Sequence, residues 1–276
     1  MKKFLTLVVT IIMAVCACFA FTACGDDSNT LYVYTNSGFA PFEYIDDNGE
    51  VAGVDVDIAQ EIGDLLGYKV VIKDVDFGAI FMSVQQNKMA IGLAGITNDT
   101  ADQAPDGRWT TGNFSINYAE SKQYVVVKEA DFSGTEVSIT ELAGKKIGVQ
   151  TATTGSFIVA DAIDGVKDEN DVLQGDLLDS GASYVEYKNI LVAKDALGGA
   201  IDVMIIDELP AQSIALQKAG YKAVPLAGVE KEYFAAYLNK EATELLEKVN
   251  SAIQTLIDNG VVDYFMQKHS GTYSVK

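Results

Sequence analysis

Apolar and polar positions along this chain fall into short blocks whose period switches repeatedly between two and about 3.6. Alternation over residues 31–34 predicts a strand, and 42–45 with 51–54 predicts a hairpin across Asp47-Asn48-Gly49. Residues 56–66 carry Ile58, Ile62, Leu65 and Leu66 on one helical face. A strand at 69–73, a helix at 77–86 and a strand at 89–94 follow. Strands alternating with helices predict a parallel sheet with crossover helices.

A second unit repeats the theme. Strand 123–128 runs out of the first unit, and strand 146–150 opens into helix 155–163. Strand 184–187, helix 190–197, strand 203–206, helix 210–219 and strand 222–225 come next. Strand 233–238 crosses back. Helix 241–258 turns Leu245, Val249, Ile253, Leu256 and Ile257 inward and stops at Asn259-Gly260; residues 261–268 close the chain. The acidic, turn-rich stretch 161–179 is expected to be a solvated excursion. It does not make a calcium loop, because Val172 stands where an oxygen ligand is needed.

The first residues change the picture of where the chain works. Lys2 and Lys3 precede an uncharged stretch, residues 4–23, which ends in Phe21-Thr22-Ala23-Cys24-Gly25. This resembles the processing site of a bacterial lipoprotein, cleaved before Cys24, with Phe where leucine is usual. An uncleaved transmembrane anchor is the alternative, since the stretch is long enough to span a bilayer. On the first reading Cys24 is the lipidation site, and two or more acyl chains would anchor the chain at an extracytoplasmic membrane face. Cys16 and Cys18 leave with the signal, so no intrachain disulfide can form.

Composition narrows the partners. With 39 acidic against 20 basic residues, phosphate backbones and anionic lipid would repel the surface, which excludes nucleic acid. The single histidine, His269, is expected to be exposed. Without a second histidine or a free thiol, no Ser-His or Cys-His nucleophile and no histidine-rich metal site can be assembled. No cofactor is expected.

Six short segments then appear in a telling order: Asn36-Ser37-Gly38-Phe39-Ala40-Pro41-Phe42-Glu43-Tyr44; Gly53-Val54-Asp55-Val56-Asp57-Ile58-Ala59; Asp76-Phe77; Ala94-Gly95-Ile96-Thr97; Gln150-Thr151-Ala152-Thr153-Thr154-Gly155; and Asp202-Val203-Met204-Ile205-Ile206-Asp207. Together they resemble the family 3 extracellular solute-binding proteins of polar amino-acid ABC importers, over residues 31–270 or so. The resemblance implies an α/β fold of type II, with two lobes joined by two crossover strands. Each lobe would be a mostly parallel sheet with flanking helices. The implied division is signal 1–23, tether 24–30, one lobe from 31–120 plus 232–276 and the other from 121–231. It also implies a monomer that is no enzyme and hands an amino acid to a membrane permease.

The chemistry of such a site can be argued from the ligand. An amino acid carries a carboxylate and an ammonium on one carbon, and burying both requires a partner for each. A guanidinium suits the carboxylate, and Arg108 is the sole arginine. The resemblance places the family arginine six residues before a Phe-Ser-x-x-Tyr segment, a spacing that Arg108 and Phe114 keep. Its other spacing, five residues after Thr97, would select Asp102, unless six residues including the Pro105-Asp106-Gly107 turn are inserted. A plain surface arginine beside Trp109 is the third reading. Thr153 and Thr154 sit where a strand opens into a helix, a place that favours an anion.

Asp207 ends an apolar strand and, by the resemblance, binds the α-ammonium with the Gly95 carbonyl and the Thr97 hydroxyl; a helix N-cap is the alternative. By the same analogy Phe39 and Phe77 sandwich the ligand's side chain, while Asn36 and Gln150 touch it and favour a neutral polar ligand. Two other functions remain open at this point. One is a sensor module for a membrane receptor; the other is a dehydratase-like enzyme using Glu43 or Glu208 as general acid.

Overall fold

The computed structural model describes residues 29–98 and 107–272. The signal segment, Cys24, residues 24–28 of the tether, Asp102 and the inserted residues up to Asp106 lie outside the described residues. Among the described residues no helix is long and apolar enough to cross a membrane.

Two five-stranded sheets organise the chain. In chain order the strands that build the first are β1 (Thr30–Thr35), β4 (Lys69–Asp74), β5 (Ala90–Gly92), β6 (Gly112–Ser121) and β14 (Glu232–Asn239). Their spatial order is β4-β1-β5-β14-β6, and a small hairpin of β2 (Tyr44–Ile45) and β3 (Val51–Ala52) stands apart. The second sheet uses β7 (Gln123–Lys128), β8 (Lys146–Gln150), β11 (Ser183–Tyr187), β12 (Val203–Asp207) and β13 (Tyr221–Pro225), ordered β11-β8-β12-β7-β13. Each sheet is mixed in the same way. Strands β4, β1 and β5 are parallel and β14 runs against its neighbours; β11, β8 and β12 are parallel and β7 runs against its own.

Those two reversed strands are where the chain changes sheet. Lys122 alone separates β6 from β7, and residues 226–231 carry the chain back from β13 to β14. Ser121 pairs with Glu232 and Gln123 pairs with Asp207, so both crossings meet in register.

Burial explains the elements. In β1, Leu31, Val33 and Thr35 point inward at alternate positions. Helix Val54–Leu66 buries Val54, Ile58, Ala59 and Ile62, and Gly67 ends it in the left-handed conformation (φ 72°) that glycine adopts without strain. Helix Thr243–Asp258 lays Leu245, Val249, Ala252, Ile253 and Leu256 over the first sheet, each large one contributing about 1.5–3 kcal/mol by burial. A separate core around Val125, Ile147, Val149 and Val159 supports the second sheet.

Some expectations shift. Leu65 and Ile257 are 50% and 37% exposed, because each falls on the flank of its helix rather than on the packed stripe. The excursion at 161–179 contains a two-stranded hairpin, Val166–Lys167 with Leu173–Gln174, pinned by buried Leu177. His269 is buried, not exposed. Helix Val261–Thr272 brings it between Tyr44 and Asp57, with Nδ1 3.0 Å from the Tyr44 hydroxyl and Nε2 2.8 Å from Asp57 Oδ2.

Candidate functional site

The ends of β1, β8 and β12 and the short helix Arg108–Thr111 converge on one small cavity between the sheets. Asn36, Phe39, Phe77, Gly95, Thr97, Arg108, Gln150, Thr153, Thr154 and Asp207 all line it, together with Ala94 and Glu43. Strand ends are the usual place for a ligand in such sheets, because the backbone there is free of ladder partners.

Arg108 is buried rather than a surface arginine. Its guanidinium lies 4.4 Å from the centre of the Phe81 ring and donates to the Ala152 carbonyl at 2.6 Å. Ala152 takes a left-handed backbone (φ 64°) just before the helix Thr154–Asp164. Thr153 caps that helix, its hydroxyl accepting from the Ser156 amide at 3.3 Å. Arg108 therefore faces a helix N-terminus, and the two together make a positive pole.

The negative pole is richer than the sequence suggested. Asp207 occupies the N-cap position of helix Glu208–Gln217, yet its side chain makes no capping bond. Its Oδ1 is buried without a partner, and burial together with the nearby Glu232 carboxylate pushes its pKa well up. Glu232, which opens β14, was not anticipated: the predicted strand began one residue later. A charged residue heading an apolar strand was the available signal. Its Oε2 accepts from the Thr97 hydroxyl at 2.8 Å, and Thr97 in turn is 3.4 Å from the Thr154 hydroxyl. The Thr97 hydroxyl thus gives its own proton to Glu232, which leaves its oxygen free to accept from an ammonium.

Gly95 is held through its amide, not through the carbonyl expected to meet the ammonium. Its amide donates to Asp55 Oδ2 at 2.8 Å, beside the Tyr118 hydroxyl at 2.9 Å on the same oxygen. A Cβ at Gly95 would meet the Phe39 ring at 2.6 Å, so only glycine lets that ring lie on the backbone. Glu43 lies 1% exposed beside Asp55, its pKa raised by burial first and by the Asp55 carboxyl second. Glu208 is not in the lining; its carboxylate accepts from Tyr124 at 2.9 Å. Phe77 packs edge-on against Phe81 and Phe39 against Phe42, whose own side chain stays in the core.

Asn36 and Gln150 meet each other. Gln150 Nε2 donates to Asn36 Oδ1 at 2.7 Å, and Asn36 Nδ2 donates to the Val75 carbonyl at 2.7 Å. Further ties cross the cleft from Asn189 Nδ2 to the Ser37 carbonyl (3.1 Å) and from Lys188 to Asp76 (3.3 Å).

A model of the bacterial extracellular solute-binding proteins, family 3, matches residues 31–272. The chain belongs to this family. Among curated relatives, the arginine-binding extracellular protein ArtP of Bacillus subtilis is 25% identical, covering 97% of this chain and 98% of its own. The L-cystine-binding protein TcyJ of Escherichia coli is 24% identical over 89% of this chain and 84% of its own. Among solved structures, the substrate-binding protein AbpA of Streptococcus pneumoniae, bound to L-arginine, aligns with a TM-score of 0.76 at 25% identity, over 91% of this chain and 98% of its own. An ancestral arginine-binding protein bound to glutamine aligns with a TM-score of 0.72 at 30% identity, over 87% and 97%. The fold is the two-lobe α/β fold of type II, and the family 3 chain is a solute-binding protein, not an enzyme.

Proposed function

We propose that this family 3 protein captures a small amino acid between its lobes, Arg108 and the helix that starts at Thr154 holding the carboxylate and Asp207 the ammonium. One observation carries the reading: a buried guanidinium and a buried, half-unpartnered carboxylate line the same interlobe cavity. A zwitterion presents a counter-charge to each pole at once. Phe39 and Phe77 flank the ligand's side chain, over a wall that Glu43 completes.

The names of the relatives support an amino acid as ligand and an extracytoplasmic place of work. Lipidation at Cys24 and delivery to an ABC permease complete the reading, with the protein acting as a monomer. Closure over the ligand excludes water and so strengthens both ionic contacts. A thermal-shift screen over the twenty amino acids and cystine tests it, because a ligand that binds only the folded state raises Tm by mass action. At least one amino acid should raise Tm in the wild type and fail to do so in Arg108→Ala; a flat screen rejects the reading.

A further inference from the structure

The negative pole holds one carboxylate more than an α-ammonium needs. Asp207 ends β12 in the second sheet and Glu232 begins β14 in the first. Their register partners, Gln123 and Ser121, are two residues apart on the crossing strand, so the two acids meet at the first crossing from opposite sheets. Both are at least nine-tenths buried; Asp207 lines the cavity, and its Oδ1 is buried with no hydrogen-bond partner.

We propose that Glu232 is a positioning residue of the cleft, forming with Asp207 a carboxylate pair that keeps one proton when the cleft is empty and releases it to solvent when a ligand's ammonium enters. The inference rests on the amino-acid reading above and adds to it a second acid and a proton. No bond other than O–H is broken; the ammonium stays protonated and takes the proton's place as counter-charge.

Two buried acids so placed cannot both ionise cheaply, and the second to lose its proton does so against the first. Burial raises both groups and Glu232 raises Asp207 further, against hydrogen bonds from Gln123 and Ser121 to Asp207 and from Thr97, Gln123 and Thr154 to Glu232. The charged groups facing the pair are Arg108, which favours an ionised Glu232, and Glu43, itself raised by burial and by Asp55. Tyr118 stands behind Asp55, whose Oδ2 accepts its hydroxyl proton. Lys231, next in sequence to Glu232, is engaged outside by Glu120 at 3.0 Å, and Glu208, next to Asp207, by Tyr124. No lysine contact found among the described residues reaches either acid.

The second function of the pair follows from its geometry. Thr154 donates to Thr97 and Thr97 to Glu232, so Glu232 orients the hydroxyl that faces the ligand from the first sheet and links it to the helix N-terminus of the second. A neutral amide in its place could still receive that hydroxyl, which makes Glu232→Gln the informative variant.

The test is calorimetry on the wild type and on Glu232→Gln, between pH 5 and 8, in buffers of different ionisation enthalpy. The probe is the amino acid that raises Tm most in the screen. For the wild type the observed enthalpy should vary with the buffer in the sense of proton release, and affinity should climb with pH by up to about tenfold per unit. In Glu232→Gln the release should fall to less than about half, since Asp207 then titrates without a like charge beside it. A buffer-independent enthalpy in the wild type, measured without any variant, overturns the inference. So does an undiminished release in Glu232→Gln. Binding of no amino acid at all instead overturns the reading on which the inference rests.

Discussion

Gln150 and Asn36 hydrogen-bond to each other across the cleft, the Gln150 amide donating to Asn36 Oδ1 at 2.7 Å where both side chains are buried. Reading the ligand was the role expected for these amides. They line the cavity and also form a latch between the lobes, with Asn36 braced by the Val75 carbonyl and Gln150 within 3.3 Å of the Lys188 carbonyl.

Breaking the latch should disfavour closure. In Gln150→Leu the Asn36 oxygen is left buried and unpaired when the lobes close, a cost of about 1–3 kcal/mol. Affinity for the amino acid should therefore drop by roughly 5- to 150-fold. Small-angle scattering of the empty variant should show a larger radius of gyration than the wild type. Unchanged affinity and unchanged scattering would mean that the bond contributes nothing to closure.

Asp55 predicts how stability depends on pH. Burial raises its pKa to about 6, against the opposing pull of the Gly95 amide and the Tyr118 hydroxyl. The folded state thus prefers the protonated acid. Its stabilising contribution is complete below about pH 4, where the unfolded chain is also protonated, and is lost as pH rises through 6. Denaturant melts of the empty protein should lose on the order of 1–3 kcal/mol from this group between pH 4 and 7. In Asp55→Asn that portion of the slope should vanish; an identical pH profile in both proteins would contradict the assignment.

How much of this was legible in the sequence divides along physical lines. The strands and helices that pack on a continuous apolar face, such as residues 31–34 and 241–258, were readable because burial imposes the period. The ten-residue strand β6 was not, because Gly112, Asn113, Ser115, Asn117 and Glu120 break its alternation and its pairing with β14 is long-range. The site residues could be named from motifs, and the structure gathers all ten around one cavity. What the motifs could not carry was who bonds to whom. Thr97 to Glu232, Gly95 to Asp55 and Gln150 to Asn36 are contacts between residues 40 or more positions apart, the first two fixed by packing within the first sheet's lobe and the third by how the two sheets meet.

His269 illustrates the same limit. A lone histidine near the end of an acidic chain read as exposed, yet it joins Tyr44 to Asp57 and so fastens the last helix to helix Val54–Leu66. His269→Ala removes two hydrogen bonds, the one to Tyr44 buried and the one to Asp57 part-buried, and opens a small void. It should destabilise the protein by roughly 2–4 kcal/mol. Ligand affinity should not change, since the clasp lies outside the cavity lining. A variant as stable as the wild type would show that the clasp does not hold in solution.

Titration calorimetry on three proteins bears most directly on the assignment of the two poles: wild type, Arg108→Ala and Asp207→Ala, each checked for folding by circular dichroism. Losing one partner of a desolvated ionic contact costs roughly 2–5 kcal/mol, so each variant should bind the amino acid at least about 30-fold more weakly while keeping its fold. Wild-type affinity in both folded variants would contradict the claim that a buried guanidinium and a buried aspartate hold the two ends of a zwitterion.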